Sequence, residues 1–200
     1  MIAGLLLAAG EGTRFGGDKL LAQLGGESVL RRSASALGAE VDRLIVVVPP
    51  SAAARIAELR ALEGGSRARV VENPEFRAGM GSSLRAGVAA LESDVDAVIV
   101  SLADQPLVRR DVIRALIERW RAEAASAVAP QYRNGQGNPV LFSRAVFPAL
   151  ARLAGDVGAR AVLRSLGSAV SLLVVDDDIP ADVDTPDALR ALEDRVRRDS

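Results

Sequence analysis

The sequence predicts an α/β protein in which a mostly parallel sheet carries helices on both faces. Three observations support this. Short apolar runs such as IAGLLLA (2–8), RLIVVV (43–48) and DAVIVSL (96–102) read as continuous strands rather than alternating ones. Such strands are buried on both faces, as parallel strands are. Segments with helical period separate them, and strand–helix alternation is the pattern of a doubly wound, three-layer domain. Loop formers cluster just after the strands, where open α/β sheets hold their ligands.

The elements follow in order. After the first strand, Ser28 to Leu37 reads as a helix. The second strand, 43–48, stops at Pro49-Pro50, and Ser51 can cap a helix to about Leu62. RVV (69–71) is short and extended. Ser82 or Ser83 can cap a helix with Leu84, Val88 and Leu91 on one face. Beyond the central strand, Ile113, Leu116, Ile117 and Trp120 form a helical stripe. SAVAP (126–130) and PVLF (139–142) are strands, and QYRNGQGNP (131–139) between them can top a flap. Arg144 to Leu153 and Val157 to Leu166 read as short helices, and VSLLVV (170–175) as a late strand. Thr185 caps a last helix, with Pro186 suited to its first position and Asp187 to its positive end. RVRRDS at the end reads as a solvated helix terminus.

Two hundred residues, 49% hydrophobic, suffice for one domain over 1–200. Aromatics are 3%, so the core is built from Leu, Val, Ala and Ile. A net charge of -1 argues against nucleic acid as a partner. The chain has no cysteine, which excludes disulfides, thiolate metal sites and cysteine nucleophiles. It has no histidine, which excludes a Ser-His-Asp triad and a histidine base. Any metal must therefore be a hard cation held by oxygens. The apolar start breaks at glycine after about seven residues and lacks a basic leader, so it reads as a strand and not a signal peptide. No run approaches the roughly 20 apolar residues of a membrane span. The expectation is a cytoplasmic protein without a membrane partner.

The stretch LLLAAGEGTRFGGDKLL (5–21) is the most informative. It is not a Walker A loop, because Lys19 follows Asp18 and precedes Leu20. It fits a dinucleotide fingerprint poorly: Gly10 and Gly12 match, but Phe15 takes the third glycine's place. The second strand also ends without the acid that would hold a ribose. What remains is a wide loop whose backbone N–H groups can approach an anion, with Arg14 as a planar fork and Lys19 as a point charge. Asp104 follows the central strand directly, and Asp176, Asp177, Asp178, Asp182 and Asp184 follow the late one. Two acids at neighbouring strand ends, facing a cationic loop, suit Mg²⁺, which takes one or two carboxylates plus substrate phosphates. NPEFRAGMGSSL (73–84) can present N–H groups and hydroxyls to a base edge or an anion.

These segments together resemble the MobA-like nucleotidyltransferases, and most closely the molybdenum cofactor cytidylyltransferase branch. The resemblance runs through LAAGEGTRFGGDKLL (7–21), NPEFRAGMGSSLRAGV (73–88), LADQPLV (102–108), GQGNPVLFSR (135–144), GDVGAR (155–160) and DVDTPDAL (182–189), in that order. It implies a Rossmann-like nucleotide-diphospho-sugar transferase fold, three-layered, with a mostly parallel mixed sheet. It implies transfer of a nucleotide from an NTP to a phosphorylated acceptor, with release of pyrophosphate. Carried over, Ala8, Ala9 and Gly10 lie along the base and ribose, and Leu7 and Gly12 also belong to the nucleotide-binding set. Arg14 and Lys19 grip the triphosphate, and Gly81, Ser82 and Ser83 help to read the base. Asp104 would bind Mg²⁺ with Asp184, or with Asp182 in its place. LAAG, with Ala9, resembles the CTP-using members, whereas GTP-using members typically read LAGG. The branch implies molybdopterin as acceptor, held near Gln136 to Pro139 and Gly155 to Arg160, and transient contact with a molybdoenzyme or its chaperone. It also includes proteins linked to purine catabolism and an oxidoreductase acting on a pigment, so the alternatives are an NAD(P)H-dependent oxidoreductase on the same scaffold or a guanylyltransferase using GTP.

Overall fold

A computed structural model gives the fold. It describes residues 1–10, 12, 14–50, 52–62 and 68–198. Strand β1 (Ile2–Leu7) is buried throughout. Two short strands, β2 (Gln23–Leu24) and β3 (Glu27–Ser28), pair antiparallel and lead into helix α1 (Val29–Gly38). The Ser28 hydroxyl caps α1 by accepting from the Arg31 N–H at 3.2 Å. Strand β4 (Arg43–Val48) follows, then α2 (Ala53–Arg60), β5 (Arg69–Glu72), α3 (Met80–Ala89) and β6 (Ala97–Leu102). The expected cap of α2, Ser51, lies outside the described residues.

Helix α4 (Arg110–Glu123) buries Ile113, Leu116 and Ile117 of the predicted stripe and Val112 beside them, with Trp120 of the stripe only partly buried at the core's edge. Strands β7 (Ala127–Tyr132), β8 (Gly135–Gln136) and β9 (Val140–Ser143) come next, so the expected flap is a tight β7–β8 turn. A 3-10 turn at Arg144–Val146 runs into α5 (Phe147–Leu150). Then come α6 (Arg160–Leu166), β10 (Val170–Val174) and α7 (Pro186–Arg198). Thr185 Oγ1 accepts from the Ala188 N–H at 3.1 Å, the cap read from the sequence.

The strand order is β10-β7-β9-β6-β1-β4-β5, with β8 paired to β7. Strands β6, β1, β4 and β5 are mutually parallel, whereas β9 is antiparallel to both β6 and β7. The sheet is therefore mixed, as the resemblance implied. One core lies under α1 and α4 with Leu6, Leu30, Ile99 and Ile113; the other lies under α3, α5 and α6 with Leu5, Leu84, Val98 and Leu163. The chain builds outward from β1 through β4 to β5, then returns to place β6 on the other side of β1. That reversal opens a crevice beyond the carboxyl ends of β1 and β6, where α/β sheets bind ligands. Among the described residues, no helix is long and apolar enough to cross a membrane.

One helix start differs from expectation. Helix α3 begins at Met80, with Gly79 preceding it at a φ of 98°, so Ser82 and Ser83 fall inside its first turn. The Ser82 hydroxyl instead reaches back to the Gly79 carbonyl at 2.8 Å. Serine inside a helix makes such local bonds, and two adjacent serines do not tell the sequence reader which residue starts the turn.

Candidate active site

The crevice holds two adjoining cavities that share Leu7, Met80, Leu102 and Asp156. The first, about 410 Å³, is lined by Ala9, Gly10 and Gly12 of the opening loop, by Gly79 and Ser83 of the α3 start, and by Asp104. Six sequence-predicted nucleotide residues thus face one space: Leu7, Ala9, Gly10, Gly12, Ser83 and Asp104. Ala8 is buried behind them. Gly81 and Ser82 are buried and do not line the cavity. Their part is structural: a Cβ on Gly81 would stand 2.7 Å from the Ala154 nitrogen, and the Gly81 N–H donates to the Gly155 carbonyl at 2.9 Å. A Cβ on Gly79 would come within 2.3 Å of the Gly155 backbone. These glycines let the 154–156 turn close onto α3. That approach joins two distant motifs into one wall.

Asn73 orders the serines. Its amide donates to Ser82 Oγ at 2.9 Å and Ser83 Oγ at 3.1 Å, while its carbonyl oxygen accepts from the Glu75 N–H at 3.0 Å. Only Ser83 of the pair has a side chain at the cavity.

Beside the first cavity, Lys19 lies between two carboxylates. Its Nζ donates to Asp104 Oδ2 at 2.6 Å and Asp184 Oδ1 at 2.8 Å. Burial alone would lower the Lys19 pKa, but the hydrogen bonds to Asp104 and Asp184 outweigh it and the pKa is raised. The Lys19 bond holds the Asp184 carboxyl below the usual carboxylate range. Arg14 is exposed and stands 3.7 Å from Asp184. The structure therefore brings Arg14, Lys19, Asp104 and Asp184 together at the strand ends. Val183, fully buried, anchors this arrangement: its N–H donates to the Asp104 carbonyl at 2.8 Å.

The chemistry of this donor set fits a hard divalent cation. Asp104 and Asp184 offer oxygens that converge on one positive charge. Among the described residues no cluster of three or more metal-ligating side chains exists. Two carboxylates completed by substrate phosphates is the Mg²⁺ habit. Asp182 faces elsewhere, into the second cavity. Solvent reaches its side chain, yet surrounding protein desolvates it. That desolvation, followed by the nearby Asp104 charge, raises its carboxyl. The other acids after β10 serve as ion-pair partners: Asp176 meets Arg133 at 2.8 Å, and Asp177 meets Arg195 at 3.4 Å.

The second cavity, about 490 Å³, takes its lining from Asn138, Val140 and Asp156 to Arg160, with Gln105, Arg164 and Asp182 added. Asn138 and the 156–160 stretch belong to the segments expected around an acceptor; Gln136 and Gly137 do not line it.

Sequence reading missed Arg55. It is buried, and its guanidinium donates to Ala8 O at 2.6 Å, Gly10 O at 3.1 Å and both Asp18 oxygens at 2.7 and 3.0 Å. These bonds turn the loop's carbonyls toward α2. The signal was there: Arg55 shares a helix face with buried Leu59, four residues on, and a charge on an apolar face needs a partner.

Fold and crevice define a nucleotide-transferring class of α/β protein. Residues 4–170 match the MobA-like NTP transferase domain, and the chain belongs to that family. It is 32% identical over 204 residues to purine catabolism protein PucB of Bacillus subtilis, covering 98% of this chain and 96% of that one. It is 30% identical over 199 residues to nicotine blue oxidoreductase of Paenarthrobacter nicotinovorans, covering 96% of each. The crystal structure of Rv0371c from Mycobacterium tuberculosis in complex with manganese superposes with a TM-score of 0.77 at 34% identity, covering 96% of this chain and 98% of that one.

Proposed function

We propose that the protein is a Mg²⁺-dependent cytidylyltransferase acting as one domain over residues 1–200 in the cytoplasm. It transfers CMP from CTP to the phosphate of an acceptor, with molybdopterin the acceptor that the resemblance favours. An acceptor phosphate oxygen attacks the α-phosphorus. The bond from that phosphorus to the bridging oxygen breaks, and pyrophosphate leaves with the electron pair. The observation that carries this reading is the cation position between Asp104 and Asp184, beside a cavity walled by a glycine loop. Mg²⁺ held by those two carboxylates would neutralise charge on the phosphates. The Rv0371c manganese complex supports a divalent ion in this family.

The chain's own residues do the rest. Loop N–H groups at Gly10 and Gly12 cradle phosphate, because Arg55 holds the opposite carbonyl face. Arg14 and Lys19 carry the developing negative charge. An acceptor phosphate is already ionised near neutrality, so no histidine base is needed. Catalysis by positioning and charge stabilisation is the rule for phosphoryl transfer. Ala9 and Ser83, both at the cavity, take the base, and Ala9 favours CTP over GTP. The product would pass on to a molybdoenzyme or its chaperone by transient contact.

A second reading rests on the likeness to nicotine blue oxidoreductase: an NAD(P)H-dependent activity on the same scaffold. Strand β4 ends at Val48-Pro49-Pro50 without a ribose-binding acid, which weighs against it. Calorimetric titration with CTP, GTP, ATP and NADPH, each with and without Mg²⁺, separates these readings. Mg²⁺-dependent CTP binding that is lost in Asp104→Ala is the expected result. A GTP preference would keep the chemistry and change the base. NADPH binding without a metal effect would overturn the proposal.

A further inference from the structure

Among the described residues, one buried side-chain polar atom has no partner: Gln105 Oε1. Buried acceptors are rarely left unpaired, because the lost hydration is not returned. Gln105 is only 3% exposed and lines the second cavity. Its orientation is fixed by its surroundings. The amide nitrogen donates to the Pro180 carbonyl at 3.3 Å, and the Asp182 carboxylate lies close to the same amide. Both neighbours are acceptors, so the nitrogen must face them and the oxygen is left over. Asp182 lines the same cavity. One wall therefore presents a carboxylate and an amide oxygen side by side, and both can only accept.

Other residues of the lining have the opposite character. Arg160 and Arg164, one helical turn apart on α6, line the cavity, and neither side chain makes an ion pair or hydrogen bond among the described residues. The lining also includes the apolar Leu84, Val100 and Val140. Met80 and Val157, also part of the lining, are large apolar side chains left 41% and 45% exposed. A polyol would forfeit hydration against such a surface, whereas a flat ring would not.

We propose that Gln105 and Asp182 select the acceptor by reading a paired N–H donor edge on a planar nitrogen heterocycle, while Arg160 and Arg164 hold its phosphate. This rests on the reading of the second cavity as the acceptor subsite of a nucleotidyltransferase. It assigns specificity to residues outside the metal and phosphate machinery.

The test uses simple probes: GMP, which carries adjacent ring N–H and amino donors; IMP, which lacks the amino group; and ribose 5-phosphate, which is a polyol phosphate. Each is titrated against protein saturated with α,β-methylene CTP and Mg²⁺, so that the nucleotide cavity is filled. GMP is expected to bind about tenfold or more tighter than IMP, the size of one buried unmet hydrogen bond, with ribose 5-phosphate weaker still. In Gln105→Leu the GMP preference collapses while affinity for the CTP analogue is unchanged, which also reports folding. Should Gln105→Leu not fold, Asp182→Ala, at a solvent-reached position, is expected to give the same collapse. IMP or ribose 5-phosphate binding as tightly as GMP, or a Gln105→Leu protein with its GMP preference intact, overturns the proposal. Failure of the CTP analogue to bind the unaltered protein would instead sink the transferase reading. The GMP and IMP preference measured without the analogue, in the unaltered protein against Gln105→Leu, would still decide the role of Gln105, because Gln105 lines only the second cavity.

Discussion

The two cavities share a border, yet their walls follow opposite plans. Around the first, polar and charged groups are tied to one another: Lys19 to Asp104 and Asp184, Arg55 to Asp18 and two loop carbonyls, Asn73 to two serines. Around the second, Gln105 Oε1, Arg160 and Arg164 have no partner among the described residues. A net of mutual bonds fixes geometry, which suits chemistry on a phosphate common to every reaction of the class. Free groups on a rigid frame suit selection, because a ligand that lacks the matching group leaves them unmet. On the proposed reading, the fold divides rate from choice across Leu7 and Leu102, which both cavities share.

The largest expected effect is at the proposed metal position. Asp104→Ala should lower kcat by about 10²–10³, or roughly 3–4 kcal/mol, comparable to removing one preorganised electrostatic contact. Steady-state pyrophosphate release measures it, and full retained activity would remove Asp104 from the chemistry. Next comes Arg55→Ala. It leaves the Ala8 and Gly10 carbonyls and the Asp18 carboxylate without their donor, so urea unfolding should show a loss of about 2–4 kcal/mol. Arg55→Lys should recover only part, since an ammonium cannot span three acceptors as a fork does. If Arg55→Ala were neutral in stability, the first cavity would not be the tied structure described here.

How much of this was legible depended on distance along the chain. The strand ends, the glycine loop and the pairing of Asp104 with an acid of 182–184 could be read because each sits at a sequence-visible junction of an apolar run and a loop. The cap at Thr185 was local chemistry and was read directly. What could not be read was set by tertiary approach. Gly79 and Gly81 look like loop formers, but their work is to admit the 154–156 turn. Arg55 looks like a surface helix charge until α2 is laid against the opening loop. The antiparallel β9 leaves no local mark, since its apolar run resembles that of its parallel neighbours.

A smaller pair of effects sharpens the contrast through pH. Asp184 is held low by Lys19, so its carboxylate contributes stability above its unfolded pKa, near 3.9, and that is lost as pH falls through the folded value. Asp182 is held high by desolvation, so its contribution runs the other way: it is present at low pH and lost as pH rises through the folded value. At neutral pH, Asp184→Asn should therefore destabilise and Asp182→Asn should stabilise. Thermal melts from pH 3 to 8 check both signs. The same sign for both would mean that the two acids share one environment.

The smallest expected effect is the most discriminating. Arg164→Ala removes a charge that makes no ion pair in the structure, so stability should change by no more than about 0.5 kcal/mol, the range for untied surface positions. The same substitution should weaken acceptor binding and leave CTP binding alone. A residue that costs nothing to lose in folding but matters to one ligand is what an untied wall predicts. A loss of stability comparable to that of Arg55→Ala would show that Arg164 is bound into the fold after all. The second cavity would then be a structural cleft rather than a place of choice.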